Sequence, residues 1–148
     1  MTSYTVRDPI DVLHVQRCVG DFAREMGFSR IESQELAIVA TELATNILKF
    51  GAPGTLQVQE LLAGQVPYLK LTATDSGPPF KNLQSAIQDG WDDDGPIDPL
   101  QLLKRQGIGG GLGAIVRFSH SFVVAEGESG KAIVIKRYRG DEPPPAEK

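Results

Sequence analysis

The stretch that most limits how this chain can fold is FSRIESQELAIVATELATNILKFG, from Phe28 to Gly51. Ser29 and Glu32 have the spacing of a capping box, with Ser33 as a rival N-cap, and Gly51 supplies the C-terminal stop. Leu43, Ala44, Ile47 and Leu48 lie between those signals and need burial. A long helix with an apolar side must lie on another layer, so the rest of the chain has to provide that layer.

The flanking segments do so. SYTVR alternates as a short strand. DPID opens an earlier helix, with Asp8 as N-cap, Pro9 in the first turn and Asp11 at the positive end of the dipole. Ile10, Val12, Val15, Val19, Phe22, Ala23 and Met26 form its apolar side, and Gly27 ends it. TLQVQELLAG and PYLKLTATDSG read as two antiparallel strands. LGAIVRFSHSF reads as a helix, and FVVAEGESGKAIVIKRYR as a hairpin turning at GESG. The order strand, helix, helix, strand, strand, lid, helix, strand, strand predicts an α+β fold. It is a two-layer α/β sandwich, with helices on one face of a mixed, mostly antiparallel sheet. Residues 1–140 make one domain and the polar, proline-rich 141–148 a disordered tail. The connection from Pro78 to Gly113 holds two weak helical pieces, NLQSAIQDG and LQLLKRQ, around WDDDGPIDP. A connection that long inside a compact domain is usually functional, as a lid is.

Composition closes off several function classes. The 148 residues, 41% hydrophobic and 23% charged, suit one soluble domain. A net charge of -4 argues against a nucleic-acid partner. No apolar run is long enough for a membrane span and no signal segment opens the chain, and a lone cysteine, Cys18, rules out an internal disulfide. A cytoplasmic protein without membrane or nucleic-acid contact is expected.

Three stretches carry chemistry. Glu42, Asn46 and Lys49, three and four apart, share one helix face. A carboxylate can take a hydroxyl proton, a side-chain amide oxygen suits magnesium, and an ammonium can sit against phosphate. In ATDSGPPF, Asp75 ends a strand and can accept a hydrogen bond from an exocyclic amine such as adenine's, while Gly77 permits close approach to a flat ligand. In GIGGGLG, the glycines Gly107, Gly109, Gly110, Gly111 and Gly113 precede a helix, where backbone N–H groups can cradle phosphate. Each has an ordinary alternative: a solvated helix face, a turn, a linker. Together, and in this order, they supply what an ATP·Mg²⁺ site requires.

That order and wording resemble the GHKL ATP-binding family, whose Bergerat fold is the sandwich expected above. The helix with E-x-x-x-N looks like the N box, DSG like the G1 box and GIGGG like the G2 box. TELATNILKFG, AIQDGW, GIGGGLGAIVRF and GESGKAIVIKRY look most like the small serine-protein kinases of bacterial partner-switching systems, the RsbT type above the RsbW type. The resemblance covers about Thr5 to Tyr138. It implies Glu42 as general base, Asn46 as Mg²⁺ ligand and Lys49 near the phosphates. Asp75 would hold the adenine amine, Gly77 would let the base pack, and Gly107, Gly109, Gly111 and Gly113 would belong to the phosphate lid. The implied activity is ATP-dependent serine/threonine phosphorylation of a STAS-domain antagonist, with a phosphatase or sigma factor as further partner.

The chain departs from the pattern at Pro79, where the G1 box has a second glycine, and in a longer lid. Those departures motivate an alternative, a nucleotide-dependent binding module that transfers nothing. Asp92, Asp93 and Asp94 read as a solvated acidic turn. Neither His14 nor His120 has a phospho-acceptor context, so a histidine kinase core is not expected. A chaperone or topoisomerase ATPase would need a transducer domain the chain lacks.

Overall fold

The computed structural model describes residues 1–78, 91–92, 95–96, 112–127 and 129–140. Strand β1 (Thr2–Val6) leads into helices α1 (Pro9–Glu25) and α2 (Arg30–Phe50). Strands β2 (Gly54–Ala63) and β3 (Val66–Asp75) follow. A two-residue pair, β4 (Trp91–Asp92) with β5 (Gly95–Pro96), lies in the connection that follows β3. Helix α3 (Leu112–Arg117) precedes the hairpin β6 (Ser121–Gly127) and β7 (Gly130–Tyr138). The five long strands form one sheet in the order β1-β2-β3-β7-β6, every pairing antiparallel. Of the expected mixed sheet, only antiparallel pairs occur among the described residues.

The helices start and stop where local chemistry requires. Asp11 accepts the backbone N–H groups of Arg7 and Asp8 at 2.9 and 3.3 Å, at the entrance of α1. At α2 the rivalry between two serines resolves in favour of Ser29. Its Oγ accepts the Glu32 N–H at 3.1 Å, and Glu32 accepts the Ser29 N–H at 3.0 Å. Ser33 lies one turn inside the helix and is buried. Residues 82–90 and 100–106, read as weak helical pieces, lie outside the described residues, as do 141–148.

Helix α3 is shorter than its sequence pattern predicted. It ends at Arg117 because the next residues are claimed by β7: the His120 N–H donates to the Lys136 carbonyl at 2.9 Å. Ser119 Oγ closes the helix on the Ile115 carbonyl at 2.6 Å, and Arg137 Nη1 donates to the Phe118 carbonyl at 3.0 Å.

All three described helices contribute to a single apolar core on one face of the sheet. Leu36, Leu43 and Ile47 of α2 share it with Leu56, Val58, Leu69, Leu71, Ile133 and Ile135 from the strands. Val12, Val15, Val19 and Ala23 of α1 join them, as do Leu112 and Ile115 of α3. The strands alternate as a half-buried sheet should, so residues two apart share the covered face. On β7 that face carries Lys131, Ile133, Ile135 and Arg137.

At one end of this face Arg137 ties layers together. Its guanidinium meets Glu35 at 3.2 Å and Glu32 at 3.7 Å. The Glu32 carboxyl is held below its ordinary value, first by the Ser29 backbone N–H and also by Arg137. Such a group adds stability that is present above the unfolded-state pKa and lost as pH falls through the folded one. Ser29→Ala should therefore destabilise by about 1 kcal/mol, a fall in Tm of roughly 2–4 °C for a domain of this size. Glu32→Gln should lower Tm at pH 7 and converge with the parent protein near pH 3, read by thermal melts across that range.

Candidate functional site

Among the described residues helix α2 packs on the sheet and touches α1 and α3. It also carries the polar stripe. Glu42 is only 4% exposed although charged, Asn46 is half-buried one turn later, and Lys49 is exposed. The stripe runs straight into the helix C-terminus, where the Gly51 N–H donates to the Ile47 carbonyl at 2.8 Å. The Lys49 ammonium lies 5.1 Å from the centre of the Phe50 ring.

There the helix end meets the ends of two strands. Asp75, the last residue of β3, is paired in register with Lys131 on β7. Lys131 Nζ donates to Asp75 Oδ1 at 3.0 Å, with the two side chains 0% and 3% exposed. The Gly77 N–H donates to the same oxygen at 2.8 Å. Lys131 Nζ also reaches the Pro78 carbonyl at 3.1 Å and lies 5.1 Å from the Phe50 ring centre. One carboxylate oxygen thus accepts two donors, one of them charged.

Two glycines make this junction possible. A Cβ on Gly51 would meet Asp75 Oδ1 at 2.6 Å and press on the Gly77 nitrogen. A Cβ on Gly77 would collide with the Phe50 carbonyl. Gly51 was read as a helix stop, and it is one, but its backbone is not in the left-handed region. Close approach of helix to strand is what demands glycine there.

The structure brings together Asp75, Gly77 and the end of the helix that carries Glu42, Asn46 and Lys49. Gly113 is buried inside α3. Gly107, Gly109 and Gly111 lie outside the described residues, as does Pro79. Arg117 is exposed, its guanidinium 5.5 Å from the Phe118 ring centre. Sequence reasoning missed Lys131 and Phe50. The signal for Lys131 was present: it occupies a covered-face position two before Ile133, where a lysine requires a buried anion.

The residues fit a nucleotide with its ion in part. A buried acceptor beside a glycine-lined backbone suits an exocyclic amine. Among the described residues no cluster of three His, Cys, Asp or Glu side chains could hold a metal.

No family model matches the chain. A curated relative, the serine/threonine-protein kinase RsbT of Bacillus subtilis (strain 168), is 25% identical over 127 residues, 83% of this chain and 87% of the relative. A chain in the crystal structure of the SiaB–SiaC complex from Pseudomonas aeruginosa aligns with a TM-score of 0.54 at 12% identity, over 93% of this chain and 89% of that one. The Acinetobacter baumannii histidine kinase AdeS aligns with a TM-score of 0.47 at 15% identity, over 95% of this chain and 69% of that one. The RsbT match upholds the resemblance to small GHKL kinases, and the SiaB–SiaC match shows a shared fold. No helix among the described residues is long and apolar enough to cross a membrane.

The glycine geometry has a direct test. Gly77→Ala should destabilise by about 2 kcal/mol or more, because backbone must move. Gly20→Ala, whose Cβ would meet only Ala37 Cβ at 3.6 Å and the Ser33 carbonyl at 4.0 Å, should be neutral or stabilise by up to about 1 kcal/mol. Urea unfolding of both variants measures the contrast.

Proposed function

We propose that this chain is a single-domain, cytosolic, ATP-dependent serine/threonine-protein kinase of a partner-switching system, acting on a STAS-domain antagonist. The observation that carries the reading is the buried Glu42, one turn before Asn46, on a helix that ends against Asp75. The similarity to RsbT across most of both chains supports it. So does the matching chain from a two-protein complex, which favours a protein partner. A phosphatase or sigma factor is the expected further partner.

In this reading Asp75 accepts the adenine amine and Gly77 lets the base lie close to the backbone. Asn46 offers its side-chain oxygen to Mg²⁺, which when bound neutralises phosphate charge. Lys49 lies toward the phosphates, with Gly107, Gly109 and Gly111 in the lid that covers them, whereas Gly113 is packed inside α3. Glu42 takes the proton from the partner's hydroxyl as that oxygen bonds to the γ-phosphorus. The bond from phosphorus to the ADP oxygen breaks in the same reaction.

One observation favours a second reading, a binding module without phosphotransfer: the Asp75 acceptor is already engaged by Lys131. A phosphorylated STAS partner, seen as added mass after incubation with ATP·Mg²⁺, would eliminate that alternative.

Glu42→Gln should reduce transfer by about 10²–10⁴-fold while nucleotide still binds. Unchanged transfer in this variant would sink the kinase assignment of Glu42. In calorimetric titrations with ADP, Asp75→Asn should abolish binding, and Asn46→Ala should remove the Mg²⁺ dependence.

A further inference from the structure

The Asp75–Lys131 pair has a consequence for the proposed nucleotide site, and the inference rests on that reading. Each carboxylate oxygen accepts about two hydrogen bonds. Asp75 Oδ1 already has two, from Gly77 at 2.8 Å and Lys131 at 3.0 Å. The ammonium adds an ion–ion attraction to the carboxylate that a neutral amine's hydrogen bond lacks. The ammonium also fills the space between Asp75, the Pro78 carbonyl and the Phe50 ring, and its side chain is wholly buried. A base approaching Asp75 Oδ1 therefore meets an oxygen already taken by a charged donor.

Lys131 has somewhere else to go. It is the residue after Gly130, at the start of β7 next to the exposed turn of the hairpin. Directly across the β6–β7 register from it stands Glu126, an exposed carboxylate on the same sheet face. Directly opposed residues in an antiparallel pair are close enough for their side chains to interact. Four methylenes let the ammonium swing without backbone movement.

The geometry points to Lys131 as the affinity-setting residue of the base site. In the nucleotide-free protein it holds Asp75. A purine's exocyclic amine enters by displacing it toward Glu126.

Two measurements test this. Lys131→Thr places a β-branched residue, suited to a strand, at this position and removes the ammonium. It should bind ADP at least about tenfold more tightly than the parent protein, and Asp75→Asn in that background should erase the gain. In the unaltered protein, lysine acylation read by peptide mass spectrometry should find Lys131 protected without ADP and labelled severalfold faster at ADP saturation. Parent protein and Lys131→Thr binding ADP equally, or weaker binding by the variant, overturns the inference and leaves the nucleotide site standing. Absence of ADP binding by both overturns the site and the inference together. If Lys131→Thr does not fold, the labelling decides: protection unchanged by ADP overturns the displacement.

Discussion

An ammonium and a carboxylate buried together lose their hydration, and only close contact with further hydrogen bonds offsets that loss. Asp75 and Lys131 meet this condition because three backbone segments converge on them. The end of β3 supplies the carboxylate and the Gly77 N–H. The start of β7 supplies the lysine. The end of α2 supplies the Phe50 ring, and it comes this close only because Gly51 and Gly77 lack side chains. Helix position and strand ends are therefore one geometric problem with one solution.

The same helix explains why the polar stripe is not an ordinary wet face. Leu36, Leu43 and Ile47 hold α2 to the sheet, while α1 and α3 touch it. It also carries Glu42, Asn46 and Lys49, exposed in increasing degree toward the C-terminus. A carboxylate buried to 4% exposure is not what solvation of a helix face produces. At the other end of the covered face, Arg137 anchors the helix N-terminus through Glu32 and Glu35. Ion pairs to Arg137 thus fix the start of α2 against β7, close packing at Gly51 and Gly77 with the Phe50 ring beside Lys131 fixes its end, and the stripe between them is held in place.

Much of this was legible in the sequence because it depends on local chemistry. The capping box at Ser29, the alternation in β2, β3 and β7, and the turn at GESG all act over a few residues. The choice between Ser29 and Ser33 was not settled locally, since both can cap; packing against the core decided it by burying Ser33. The early end of α3 was hidden for a similar reason. LGAIVRFSHSF is helical by pattern, yet His120 is drawn into pairing with Lys136, and pairing between distant strands leaves no periodic trace. The partner of Asp75 was hidden too. DSG announces an acceptor, but only the β3–β7 register shows that Lys131 faces it. Of the candidate site, the stripe and Asp75 were readable as residues, and the charge balance around them was not.

That balance bears on how a kinase of this kind would be controlled. Two groups the proposed chemistry needs, Glu42 and Asp75, are 4% and 6% exposed in the free chain. A base buried in the fold is out of reach of a partner's hydroxyl, and Asp75 Oδ1, which already takes two donors, is closed to a purine's amine. Each must open, and each opening has a free-energy cost in the absence of ligand. A ligand that binds the open form lowers that cost for the next one, which is positive coupling without any dedicated allosteric site. If the two openings are shared, nucleotide at the end of β3 and protein partner at Glu42 on α2 would favour each other's binding. By linkage the effect is reciprocal: a bound partner raises nucleotide affinity by the same factor as nucleotide raises partner affinity. A switch that transfers phosphate only when both are present needs no more than this.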